Sequence, residues 1–150
     1  MREPIKDQRE GGFLIAKIHQ LSNRIFNKKL KESGLVKFNS AQGRILFVLW
    51  RENNLSIRKL SEETQLSKST LTSMLDRLQD AGILKRVPSS KDRRKILISL
   101  TEKGKNLQDQ YVDISKEMNK LFYNTLSKDE IENFEYYLRK ILDNLMKNDI

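Results

Sequence analysis

Residues Ser56 to Thr101 read SIRKLSEETQLSKSTLTSMLDRLQDAGILKRVPSSKDRRKILISLT, and the order of patterns in this stretch decides the fold. Ser56 lies between Leu55 and Leu60, and Ser67 between Leu66 and Leu71. Each is a polar cap flanked by apolar residues at the spacing that staples a first helical turn. A short helix over Ile57 to Thr64 is therefore predicted, with Gln65-Leu66 as the turn before a second helix opens at Lys68. In that second helix Leu71, Met74, Leu75 and Leu78 form the buried stripe, and Ala81-Gly82 closes it. Two strand-like segments follow, Ile83 to Val87 and Lys95 to Leu100, the second alternating Ile96, Ile98 and Leu100 against Lys95, Leu97 and Ser99. The hairpin between them is Pro88-Ser-Ser-Lys-Asp-Arg-Arg-Lys95. Two short helices joined by a tight turn and followed by a basic hairpin make a winged helix-turn-helix, here about residues 40–101.

Outward from this centre the patterns are helical. Leu14, Ile18, Leu21 and Ile25 alternate steps of four and three, extended by Phe26 and Leu30, which predicts a helix over about 12–33. Asn39 caps a second helix running through Trp50, too densely apolar for a surface element. Thr101 caps a long helix whose apolar positions are Leu107, Tyr111, Ile114, Met118 and Leu121. Ser127, with Glu130 at the capping-box position, opens a last helix carrying Ile131, Phe134, Leu138, Ile141 and Leu145. Met1 to Glu10 is a polar arm. The whole is one mainly α domain with a small β-hairpin wing and long N- and C-terminal helices, 12–33 and 102–147. A small central module cannot bury stripes of that length, so they are expected to pair between subunits in a homodimer.

Lys plus Arg total 29 against 20 Asp plus Glu, a formal charge of +9, which favours a polyanionic partner. The absence of cysteine excludes disulfides, thiol redox sensing and Cys-rich zinc sites, and with His19 as the single histidine no metal site is expected. No apolar run approaches the roughly 20 residues of a membrane span, and no signal-peptide layout opens the chain, so a cytoplasmic address is expected. No glycine-rich phosphate loop, histidine relay or carboxylate pair is assembled, which points away from an enzyme and from a cofactor.

The charge is concentrated where the fold exposes a reading surface. Opposite the leucine stripe, the second short helix carries Ser69, Thr72, Ser73, Asp76 and Arg77, with Lys68 and Thr70 on the flanks. Small hydroxyl residues let a helix approach base edges closely. In the hairpin Lys85, Arg86, Lys91, Arg93, Arg94 and Lys95 face one acid, Asp92. Packing six cations together costs self-repulsion that a phosphate backbone relieves, and an arginine at the tip suits a narrow minor groove. Asp92 reads as an internal acceptor that fixes the loop.

Together Ser67-Lys-Ser-Thr-Leu-Thr-Ser-Met-Leu-Asp-Arg-Leu-Gln-Asp-Ala-Gly82 and Asp92-Arg-Arg-Lys-Ile-Leu-Ile-Ser-Leu-Thr101 resemble the recognition helix and wing of the MarR family of bacterial transcriptional regulators. The resemblance implies a homodimeric repressor on double-stranded DNA with a pseudo-palindromic operator. It places Ser67, Ser69, Thr72 and Ser73 at the major groove, Arg77 near phosphates, and Asp92 and Arg94 in the wing, with Lys68, Lys91 and Arg93 as further DNA-binding candidates. Arg94 would enter the minor groove, positioned by Asp92. Ser73 departs from many relatives, which have a larger basic or amide side chain there.

The resemblance also implies release by a small amphipathic or aromatic ligand, and His19, Trp50 and Tyr111 fall on helices that would border its cleft. Read from the residues alone, His19 is a surface or interface residue, Trp50 core and Tyr111 packing. Charge alone leaves a second reading open, a nonspecific basic RNA-binding or nucleoid-associated protein. A membrane-surface role is not expected, because the terminal helices carry mixed-charge polar faces.

Overall fold

The computed structural model describes residues 1–34 and 38–149. In the first of two units, Met1–Ile114, an exposed 3-10 turn at Ile5–Asp7 precedes α1 (Gly11–Glu32), α2 (Ser40–Arg51), β1 (Leu55–Ser56), α3 (Ile57–Thr64), α4 (Lys68–Asp80), β2 (Leu84–Pro88), β3 (Ile96–Leu100) and α5 (Glu102–Asn106). The second unit, Ser115–Ile150, takes up the end of α6 (Gln108–Phe122) and contains α7 (Lys128–Asn148). Among the described residues no helix is long and apolar enough to cross a membrane.

The expected caps are in place. Ser56, Ser67 and Thr101 accept from the amides of Lys59, Thr70 and Gly104, and Asn39 and Ser127 each complete a reciprocal capping box with Gln42 and Glu130. An eight-residue helix such as α3 is marginal alone. It persists because Ser56 caps it and Leu60 is fully buried. The core joins Ile45, Leu46 and Leu49 of α2 to Leu71, Leu75 and Leu78 of α4 and to Ile83, Leu84 and Ile98. Each such side chain contributes about 1.5–3 kcal/mol.

α4 ends in a paired closure at Gly82, whose φ is +75°: the Gly82 amide donates to Gln79 and the Ile83 amide to Leu78. Ile83 therefore belongs to the helix terminus rather than to the strand, and β2 starts at Leu84, one residue later than expected. Lys95 likewise drops out of β3, because its amide donates to Asp92 within the turn.

Two further features differ from expectation. The hairpin is part of a three-stranded antiparallel sheet, order β1-β3-β2, in which Leu55 and Arg86 both register with Ile98. As the central strand, β3 buries Ser99 as well as Ile98 and Leu100, while Ile96 near the tip is exposed. The long helix after Thr101 is interrupted at Leu107, giving α5 and α6. A continuous helix would offer the Gly104 carbonyl to Gln108, but here that carbonyl accepts the Trp50 indole N–H at 3.0 Å.

Within the second unit, Phe122, Tyr123 and Phe134 form an aromatic cluster, and Tyr123 Oη donates to Glu135 at 2.7 Å. Burial, reinforced by that carboxylate, pushes the phenol up to about 12. Ile141, Leu142, Leu145 and Met146 along α7 are exposed, as are Leu14, Ile18, Leu21 and Ile25 of α1 in the first unit.

A Cβ on Gly104 would run into the backbone carbonyl of Ile83 and crowd Leu100, whereas one on Gly12 would meet nothing within 4 Å. Gly104→Ala should therefore destabilise the protein by about 2 kcal/mol or more in urea denaturation. Gly12→Ala should be neutral or stabilising by up to about 1 kcal/mol; equal effects would refute the packing at Gly104.

Candidate nucleic-acid interface

α4 turns one face to the core and the other to solvent. Ser69, Thr72, Ser73, Asp76 and Arg77 are exposed, as is Lys68. Ser67 is also exposed, but its hydroxyl is engaged in the cap, accepting the Thr70 amide at 3.3 Å and lying 3.0 Å from the Thr70 hydroxyl. No acid occupies the first turn, so the positive end of the helix dipole is left uncancelled beside these hydroxyls.

The wing has a built tip. Ser89 donates to the carbonyl of Lys95 at 2.8 Å, Lys95 to that of Asp92 at 3.0 Å, and the Lys91 amide to the Ser89 hydroxyl at 3.2 Å. Asp92 Oδ1 receives the Arg94 amide at 3.0 Å and its Nε at 3.2 Å. The backbone amide of Arg94, then its guanidinium, hold the Asp92 carboxyl below its ordinary value. Asp92 thus has the loop-fixing contacts expected of it. The Arg94 side chain is nonetheless 92% exposed, so its backbone amide and Nε are held by Asp92 while the terminal guanidinium nitrogens face solvent. Lys91, Arg93 and Lys95 are exposed around it.

Of the six cations counted in the hairpin, Arg86 is differently placed. It reaches from β2 back to α4, donating to Asp76 at 2.7 Å and to Gln79. The charge count of the hairpin missed this, because the partners lie on another element. Two more ties escaped it. Lys103 donates to the Ala81 carbonyl at 2.8 Å, where a cation suits the C-terminus of α4, and Asn53 accepts the Leu100 amide at 2.9 Å beneath the wing.

Trp50 and Tyr111 come together, with ring centroids 5.0 Å apart, and Tyr111 also packs on Phe26 and Phe38. His19 does not join that cluster. It is exposed on α1, two turns before Phe26, with Asn23 3.0 Å from its ring nitrogen. Among the described residues no group of three or more His, Asp or Glu is arranged to hold a metal ion.

The MarR family model matches residues 38–96, from the end of the α1–α2 connection to the start of β3. An organic hydroperoxide resistance transcriptional regulator of Bacillus subtilis (strain 168) is 42% identical over 69 residues, a segment that is 46% of this chain and only 47% of that relative's length. The HTH-type transcriptional regulator MgrA of Staphylococcus aureus is 26% identical over 121 residues, covering 81% of this chain and 76% of MgrA. A mutant MarR from E. coli, crystallised in complex with operator DNA, is 29% identical with a TM-score of 0.78, covering 87% of this chain and 92% of that one. Residues 38–96 are a MarR-family domain. The match to the family model takes in α4 and the wing tip, where the exposed hydroxyls and cations of this chain lie.

The Asp92 contact carries a pH signature. A carboxyl held below its ordinary value keeps its hydrogen bonds at neutral pH and loses them as pH falls through the lowered value. The Arg94 amide resonance should therefore titrate with a midpoint below 3.8. A midpoint at or above 3.8 would show that the Asp92–Arg94 contact does not form in solution.

Proposed function

We propose that the protein is a homodimeric repressor that reads a pseudo-palindromic duplex through residues 40–101, with helices 12–33 and 102–147 supplying the pairing layer. One observation carries this reading: the hydroxyl face of α4 and the projecting guanidinium of Arg94 belong to a single braced frame. In it Ser69, Thr72 and Ser73 meet base edges in the major groove, with Ser67 and Lys68 at the helix start. Arg77 meets a phosphate. Arg94, steadied by Asp92, enters the adjoining minor groove while Lys91 and Arg93 neutralise its phosphate walls.

The exposed stripe on α1 and that on α7 each support pairing of two chains. Two-fold symmetry then sets the half-sites about one helical turn apart, roughly 10 bp. A dimer seated over that much duplex obstructs other proteins on the same stretch, which is why repression is the proposed sign. Release by a small aromatic or amphipathic ligand carries a structural condition. Trp50 and Tyr111 already pack against each other, and Tyr111 also against Phe26, so a ligand reaching them has to displace aromatic neighbours.

Selection from random duplex DNA should enrich an inverted repeat. Against that duplex Arg94→Ala should weaken binding by about tenfold or more at unchanged melting temperature, and Arg77→Ala should lower the salt slope by about one. Binding that tracks salt alone, with no enriched sequence, would favour a nonspecific nucleic-acid binder. Ile141→Asp with Leu145→Asp should give monomers in analytical ultracentrifugation; a double variant that stays dimeric would place the interface elsewhere.

A further inference from the structure

The DNA-facing stripe of α4 contains an acid. Ser69, Thr72, Ser73 and Asp76 follow one another at helical spacing on the exposed face, and the Asp76 side chain is 63% exposed. A bare carboxylate there would repel the phosphates that the neighbouring residues approach. The structure supplies its counter-charge from the wing: Arg86, on β2 two residues before Pro88, reaches Asp76 at 2.7 Å and bonds to Gln79 with its other terminal nitrogen. The Arg86 side chain is only 26% exposed, so it is the more enclosed member of the pair.

The arginine fork is suited to this task. Its two terminal nitrogens take acceptors one helical turn apart on α4, which a single ammonium cannot span with the same fixed geometry. One end of the clamp is the recognition helix, and the other is the strand that runs directly into the tip holding Arg94. We propose that Arg86 is a positioning residue for DNA binding: it cancels the charge of Asp76 and locks the recognition helix to the base of the wing, so that the two reading elements keep one separation and angle. This rests on the DNA-reading function proposed above. It removes Arg86 from the set of phosphate-contacting cations and gives Asp76 a reason to stand where it does.

The test is a double-mutant cycle on the duplex enriched from the random pool, scored for affinity, salt slope and melting temperature. The wild type is measured first: if it shows no preference for that duplex, the DNA-reading function fails and this inference with it. With that preference in hand, Arg86→Ala and Asp76→Ala should each weaken binding by about tenfold, and the double variant should be no weaker than the poorer single one, as for two ends of one contact. The salt slope should stay at the wild-type value, because neither group meets phosphate. Arg86→Lys, which keeps the charge and loses the fork, should fall between wild type and Arg86→Ala, and it carries the same reading should the alanine variant fail to fold. Three results would overturn the inference. Asp76→Ala could strengthen binding while Arg86→Ala lowers the salt slope by about one, which makes Arg86 a phosphate contact. Asp76→Ala could shift base preference at one position, which makes Asp76 a base reader. Or both single variants could bind as the wild type does.

Discussion

The carbonyl of Ile83 ties the end of α4 to the end of the hairpin. It accepts the Thr101 amide at 3.1 Å, and the Thr101 hydroxyl lies 3.0 Å from it and 2.6 Å from the carbonyl of Gly82. Gly104 approaches the same carbonyl so closely that no side chain fits, and the Gly104 carbonyl in turn holds the indole of Trp50. The termini of α2, α4 and the hairpin, with the start of α5, thus converge on a few backbone groups. Were this junction loose, α4 and the wing would hinge about Gly82, and two elements suited to neighbouring grooves would lose their fixed relation.

Stability and charge are handled by different residues. The fully buried leucines and isoleucines supply the folding free energy, at about 1.5–3 kcal/mol each. Exposed ion pairs such as Arg58–Glu62 and Lys59–Glu63 add little, because water and salt screen them. The net charge of +9 is therefore not needed for folding and is a repulsive load on it, which a polyanionic partner relieves. Tyr111 links the two ends of the first unit's core: its ring sits over Gly43 of α2, where a Cβ would come within 2.8 Å, and meets Phe26 of α1.

Much of this was legible in the sequence because local signals agreed. Ser56, Ser67, Thr101 and Ser127 announce helix starts through side-chain chemistry confined to one turn, and Leu71, Leu75 and Leu78 announce a buried face through spacing. Asp92 and Arg94 are two residues apart, so their contact also followed from local chemistry. Long-range features were not legible. A two-residue strand at Leu55–Ser56 has no room for alternation and exists only because β3 pairs with it. The break at Leu107 depends on Trp50, more than 50 positions away in the chain. Arg86 looked like one more wing cation because its partners sit on α4, and neither charge counting nor periodicity relates the two elements.

The proposed DNA reading requires α4 and the wing to enter adjacent grooves as one unit. Methylation interference on the selected duplex reports both grooves in one experiment, since methylation falls on guanine N7 in the major groove and adenine N3 in the minor groove. Interference at guanine N7 within each half-site, together with interference at adenine N3 beside it on the same face of the duplex, is the result predicted. Interference in the major groove alone would contradict a reading wing, and interference in neither groove would contradict sequence reading by this surface.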